Sequence, residues 1–190
     1  MHVFRGLPSP LQRRPSAVAI GNFDGVHLGH QALLEYVKEA AQARGLIPSV
    51  VTFEPHPKDF FGRGGEVARI STLYDKVNAI LGTGIERIYI LPFNLASGLH
   101  AGPRRSCATP SQGTRRLLDE RRQGFPLRRD RAGSVELLEE LSRTLPYELY
   151  VSPTFYHKEA RVSSSRIREA LAVGDLYEAA LMLGRPYSMT

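Results

Sequence analysis

Ala17-Val18-Ala19-Ile20-Gly21-Asn22-Phe23-Asp24-Gly25-Val26-His27-Leu28-Gly29-His30 is the stretch on which the reading of this chain turns. Its first four residues form a short apolar run of the kind buried inside parallel sheets. The run ends at Gly21 and opens into a glycine-bearing turn. A helix is predicted next over 31–43, where Leu33, Leu34, Val37 and Ala41 recur at helical spacing and Gly45 supplies a stop. His27 and His30, three apart where a strand feeds a helix, are expected on one face of the first helical turn, beside backbone N–H groups that lack a helical partner. Such a place attracts polyphosphate, because the orphan donors and the helix dipole favour negative charge and two imidazoles add hydrogen bonds. Gly21, Gly25 and Gly29 permit close backbone approach. A bare H-x-G-H reads as an incidental pair of surface histidines, whereas the same motif preceded by a strand and Gly-x-Phe-Asp-Gly reads as a phosphate site. No third ligand is evident nearby, so no metal site is assigned.

Outward from this turn, strands and helices alternate. A second strand is predicted from Ile47 to Phe53, punctuated by Glu54-Pro55-His56-Pro57, and a polar loop with Gly62, Gly64 and Gly65 follows. A helix from Ser71 through Leu81 carries Val77, Ile80 and Leu81 as its apolar stripe, with Asp75 and Lys76 read as a solvated face and assigned nothing. A third strand spans Glu86 to Phe93. Further on, Val135 to Leu145 reads as an amphipathic helix, Tyr147 to Val151 as a strand, Ser163 to Val173 as a helix stopped by Gly174, and Leu176 to Leu183 as a last helix ending at Gly184. This alternation implies α/β architecture: a doubly wound, mostly parallel, Rossmann-like sheet whose ligands sit at the carboxyl ends of the strands.

The chain has 190 residues, room for one domain at roughly 100 to 200 residues each. With 42% hydrophobic and 23% charged residues, collagen, coiled coil and wholesale disorder are excluded. The formal charge of +6 invites a nucleic-acid reading, yet it is local. Residues 98–131 hold nine arginines against three acids, and the remainder balances at 16 basic and 16 acidic residues. A single cysteine, Cys107, leaves no disulfide framework. With no apolar leader and no long apolar run, neither a signal peptide nor a membrane span is expected, and the cytoplasm is the expected location.

Three blocks together resemble a known family. Gly21 to His30, Thr52-Phe53-Glu54-Pro55-His56-Pro57, and Val162-Ser163-Ser164-Ser165-Arg166-Ile167-Arg168 look like the signature blocks of the adenylyltransferase (FAD synthetase) module of bacterial bifunctional riboflavin kinase/FAD synthetases. H-x-G-H is shared with the wider nucleotidyltransferase superfamily, and the proline-flanked His56 block selects the flavin branch. The resemblance implies the reaction ATP + FMN → FAD + pyrophosphate, with Mg²⁺. Carried over by position, His27 and His30 would contact the ATP phosphates, and Gly21, Phe23, Asp24 and Gly29 would shape the adenylate pocket. Ser164, Ser165 and Arg168 would hold the outgoing phosphates, and Pro55, His56 and Pro57 would border the flavin. Read without the family, Ser164 and Ser165 fall where an N-cap belongs, a role compatible with an anion site. The prolines around His56 likewise read as a rigid exit from a strand. The family usually has Thr at position 165, and Ser165 keeps the hydroxyl.

The resemblance covers Ala17 to about Asn94 and resumes at Ala132. Between them the family has a helix, a strand and an acidic turn that lines both substrate sites, and none of these is legible in the Arg-rich 98–131 segment. That segment reads as a compensated frameshift, in the gene or in its reading, with a genuine basic insertion as the rival. The expected organisation is a nucleotidyltransferase domain over 1–184, with 185–190 as the start of a riboflavin kinase domain that does not follow. Riboflavin kinase activity is therefore not expected. Two alternatives stand beside FMN adenylyltransferase: a catalytically impaired remnant that retains nucleotide binding, and polyanion or nucleic-acid binding through the arginines. The latter ranks last, because aromatic interleaving is missing beyond Phe125. Oligomeric state is left open.

Overall fold

The computed structural model describes residues 1–56, 68–92, 147–157 and 159–190, together with 139, 142 and 143. Among the described residues four parallel strands make the sheet: β1 (His2–Arg5), β2 (Ser16–Ile20), β3 (Ile47–Glu54) and β4 (Arg87–Pro92), in the order β1-β4-β3-β2. Helix α1 (Leu28–Arg44) carries the chain from β2 to its neighbour β3, and α2 (Leu73–Gly82) lies between β3 and its neighbour β4. After a two-residue antiparallel pairing of β5 (Tyr156–His157) with β6 (Ala160–Arg161), α3 (Ser164–Ala172) and α4 (Leu176–Leu183) complete the described elements.

Sequence dictates the central layer directly. Ala17 and Ala19 on β2 are fully buried, and their small side chains admit the apolar face of α1, where Leu33, Leu34, Val37 and Ala41 are buried. Val50, Ile80, Ile88 and Ile90 extend the same core across β3, α2 and β4. A second cluster joins Ile70 and Val162 to Ile167 and Ala170 of α3 and Ala179, Met182 and Leu183 of α4. Leu28, at the first turn of α1, packs against this second cluster, so α1 touches both cores.

The expected α/β class and mostly parallel sheet are borne out, with several local corrections. Helix α1 begins at Leu28 rather than Gln31, because His27 itself is the cap and holds the chain in helical register three residues earlier. Strand β1 had no apolar signal: of His2-Val3-Phe4-Arg5 only Phe4 is even partly buried, its ring stacked on Tyr89 of β4 at 5.2 Å. Tyr147 to Val151 is not a strand. Its alternation reflects one-sided packing, with the Tyr150 ring stacked on Tyr36 of α1 at 4.0 Å, whereas a strand requires ladder bonds. The helix expected over 135–145 and the whole 98–131 segment lie outside the described residues, apart from 139, 142 and 143.

Helix α4 ends at Gly184, whose backbone sits at φ 70° and whose Cβ, if it had one, would lie 2.6 Å from Leu28 Cδ2. Gly45, which ends α1 at φ 63°, faces open space. Gly184→Ala is expected to lower unfolding stability by about 2–3 kcal/mol and Gly45→Ala by only about 1 kcal/mol, read from denaturant midpoints at constant m value.

Candidate functional site

The turn leaving β2 is held in an unusual shape. Gly21 still belongs to the sheet, its N–H donating to Val51 O at 3.0 Å, and Thr52 Oγ1 donates to Asn22 O at 3.1 Å, tying the turn to the end of β3. Phe23 and Val26 then adopt φ of 51° and 43°. For a β-branched residue such a conformation is rare and costs on the order of 1–3 kcal/mol, the kind of local strain that clusters at functional sites. Both side chains are buried, and Gly25 between them has φ 82° with Ile70 Cγ2 only 2.8 Å from where a Cβ would stand.

His27 caps α1: its Nδ1 accepts from the His30 N–H at 3.3 Å. The two imidazoles stack with centroids 3.7 Å apart, and His30 also lies 5.1 Å from the Phe23 ring. The cap occupies the His30 donor, which leaves the Leu28 and Gly29 N–H groups as orphan donors of the first turn. A Cβ on Gly29 would stand 3.1 Å from Phe155 Cβ and 3.3 Å from the His27 ring, so only glycine keeps this approach open.

Asp24 organises the surroundings. Its carboxylate accepts from the N–H groups of Ile70 and Ser71 at 3.1 Å, from Ser71 Oγ at 3.2 Å, and from Arg168 Nη2 at 2.5 Å. Arg168 Nε donates to Ala68 O at 2.6 Å, which orients the guanidinium. On α3 the cap is Ser163, whose Oγ accepts from the Arg166 N–H, so Ser164 and Ser165 are the first helical residues rather than the cap. Ser164 is buried and its hydroxyl donates to Asp24 O at 3.2 Å, while Ser165 is exposed. The starts of α1 and α3 therefore meet at the same turn.

Of the residues singled out from the sequence, the structure brings together Gly21, Phe23, Asp24, His27, Gly29, His30, Ser164 and Arg168, with Ser165 beside them. Pro55 and His56 follow β3, adjacent to β2, with Pro55 exposed and His56 buried; Pro57 lies outside the described residues. Lys76 corrects the reading of a solvated face. It is buried, with Nζ 3.4 Å from Phe53 O and 3.7 Å from Glu54 Oε2, and Glu54 also pairs with Arg69 at 2.6 Å. Leu73, Val77 and Ile80 lie three before, one after and four after it, so the helical period placed Lys76 on the inward stripe. Asp75 is engaged too, by the hydroxyls of Thr190 and Thr72, which pull its carboxyl down to about 2.

The fold is of the α/β class, with a mostly parallel sheet and the starts of α1 and α3 gathered at the turn that leaves β2. Residues 9–98 match the family described as FAD synthetase. The bifunctional riboflavin kinase/FMN adenylyltransferase of Pseudomonas fluorescens is 33% identical over 195 residues, covering 98% of this chain and 60% of that protein. Proteins of the same name from Bacillus subtilis (strain 168) and Escherichia coli (strain K12) are 31% and 29% identical, with 55% and 61% of their lengths covered. This chain thus spans a little over half the length of these relatives. The crystal structure of a macrolide-efflux protein from Streptococcus pneumoniae has a similar fold, with TM-score 0.72 at 23% identity, covering 97% of this chain and 70% of that one. That likeness is one of fold alone. Among the described residues no helix is long and apolar enough to cross a membrane.

Two measurements probe the site's electrostatics. Asp24→Asn breaks a pair in which Asp24 is buried and Arg168 partly buried, and strands the Arg168 charge, so stability is expected to fall by about 2–3 kcal/mol in urea titrations, with Asp24→Asn/Arg168→Met recovering part of the loss. Burial pulls the Lys76 pKa below the usual lysine value, opposed by the Glu54 and Asp24 charges. The unfolded chain then holds that proton more tightly, and stability gains a contribution that rises with pH through the folded-state pKa toward the ordinary value near 10.5. The difference between wild type and Lys76→Met should carry this rise, and a pH-independent difference would show that Lys76 holds its proton as tightly in the folded protein as in the unfolded chain.

Proposed function

We propose that this domain transfers the adenylyl group of ATP to FMN, giving FAD and pyrophosphate. A terminal oxygen of the FMN phosphate attacks the α-phosphorus, a P–O bond forms, and the bond to the β-phosphate oxygen breaks as pyrophosphate departs. No covalent enzyme intermediate is required, so the protein's task is to place two anions in line and to offset their charge. The observation that carries the reading is the meeting of two helix starts at the His27–His30 turn. Helix N-termini offer N–H donors and a positive dipole end to phosphate, and here two of them face one short, strained segment.

In this reading the imidazoles of His27 and His30 face the α- and β-phosphates, the Leu28, Gly29, Ser164 and Ser165 N–H groups receive phosphate oxygens, and the donors of Arg168 not used by Asp24 and Ala68 hold the departing pyrophosphate. Gly21 and Phe23 shape the adenylate pocket. Asp24 acts indirectly, because its carboxylate oxygens are committed to Ile70, Ser71 and Arg168. Pro55, His56 and Pro57, at the carboxyl end of β3, border the flavin. Mg²⁺ accompanies ATP in this reading. Among the described residues no group of three His, Cys, Asp or Glu forms a cluster for it, so no step is routed through a resident ion. The cytoplasm, where ATP and FMN are at hand, is the location that the reading implies.

The test is FAD formation from ATP, FMN and Mg²⁺ by the purified protein, followed by absorbance and chromatography. His30→Ala should lower the rate by about a hundredfold while reducing stability by no more than about 2 kcal/mol. Parallel loss of rate and stability would make the histidine structural, and ATP binding without FAD formation in wild type would mark a remnant. Nucleic-acid binding that weakens steeply with salt and vanishes on deletion of 98–131 would favour the polyanion reading instead.

A further inference from the structure

Arg185 follows α4, far along the chain from the phosphate turn, yet its guanidinium reaches back into it. Nη2 donates to Gly25 O at 2.8 Å, and Nη1 lies 3.3 Å from Val26 O and 3.4 Å from Leu183 O. Gln31 makes the complementary link from α1, its Nε2 donating at 2.9 Å to both Val26 O and Leu183 O. Two side chains thus join three carbonyls, two on the turn and one at the end of α4. Gly184 completes the junction, because its missing Cβ allows Leu28 to lie against the end of α4.

The geometry has a directional consequence. In a planar trans peptide the carbonyl and the following N–H point to opposite sides. Holding Val26 O toward Arg185 and Gln31 therefore directs the His27 N–H the other way, and holding Gly25 O fixes the peptide whose N–H bonds Phe23 O at 3.2 Å. Val26, buried with φ 43°, is the residue whose backbone would otherwise relax.

We propose that Arg185 is a positioning residue for adenylyl transfer, which keeps the Gly25–His27 backbone in its phosphate-accepting shape from behind, without touching either substrate. The proposal rests on the adenylyltransferase reading given above. Arginine suits the task because a rigid planar fork can serve carbonyls of successive residues, whereas a lysine ammonium acts as a single point donor. A purely structural tether at the end of α4 would affect folding and leave the function of the folded fraction alone. A positioning residue alters ATP handling in molecules that are fully folded.

The experiment compares wild type, Arg185→Lys and Arg185→Ala, using calorimetry with ATP and with inorganic tripolyphosphate, steady-state FAD formation, and urea unfolding to set the folded fraction. Arg185→Ala is expected to bind both polyphosphates at least tenfold more weakly and to lose at least tenfold in kcat, with KM for FMN within twofold of wild type. Arg185→Lys should recover part of the polyphosphate affinity. ATP affinity and kcat within twofold of wild type in folded Arg185→Ala, or losses that follow the unfolded fraction and fall equally on ATP and FMN, overturn the proposal. Wild type that binds ATP yet forms no FAD overturns the adenylyl-transfer reading, while the comparison of polyphosphate affinities still decides the role of Arg185. Wild type that binds neither ATP nor tripolyphosphate overturns both.

Discussion

The carboxylate of Asp24 is the constraint on which the rest of the site depends. One side chain on the turn accepts from the backbone that enters α2, from the Ser71 hydroxyl, and from Arg168 on α3, so three segments distant in sequence are fixed relative to one another. Charge-assisted bonds of this kind, buried and mutually satisfied, are stronger than neutral ones and are costly to break singly. Ser164, bonded to the Asp24 carbonyl, locks α3 to the same residue through its backbone. Gly25 N–H, donating to Ser71 Oγ at 3.1 Å, closes the circuit. What looks from the sequence like one residue within a glycine-rich turn is the joint between the two apolar clusters.

Electrostatics follow from this joint rather than from composition. The net charge of the chain belongs to the 98–131 arginines, and the remainder is balanced. Near the turn, positive potential comes from two helix starts and from guanidinium groups whose own partners fix their direction. Arg168 is held by Asp24 and Ala68 O, and Arg185 by backbone carbonyls. Preorganised dipoles and oriented charges of this sort stabilise a phosphate without reorganising at the moment of reaction.

The parts of the fold legible in sequence were those whose burial follows a period. The run 17–20, the α1 stripe of Leu33, Leu34 and Val37, the apolar β3 and β4, and the last two helices each announce themselves through alternation, spacing or a terminal glycine. Strand β1 did not, because at the end of the described sheet and with one partly buried ring it needs backbone bonds more than apolar side chains. The hairpin of β5 and β6 is too short to show a pattern. The start of α1 was misplaced by three residues because a histidine seldom serves as a cap and was read only as a ligand. The convergence of His27, His30, Ser164 and Arg168 was anticipated from the motif blocks. The contributions of Lys76, Gln31 and Arg185 were not, although Lys76 stood on the inward stripe of α2. Arg185, between a glycine and a proline, carries no periodic signal, and its place emerges only when the end of α4 is seen against the turn.

Val26 in its left-handed conformation also says where this protein can and cannot be made more robust. A β-branched side chain held at positive φ stores free energy that folding must supply from elsewhere, here from its burial and from the carbonyl contacts on either side of it. Relaxing the turn would raise melting temperature at the expense of the shape on which the proposed phosphate contacts rely, the familiar opposition between thermal tolerance and local strain. Durable gains are to be sought away from it, at positions such as Leu11 and Val173, whose exposed apolar side chains owe nothing to the turn.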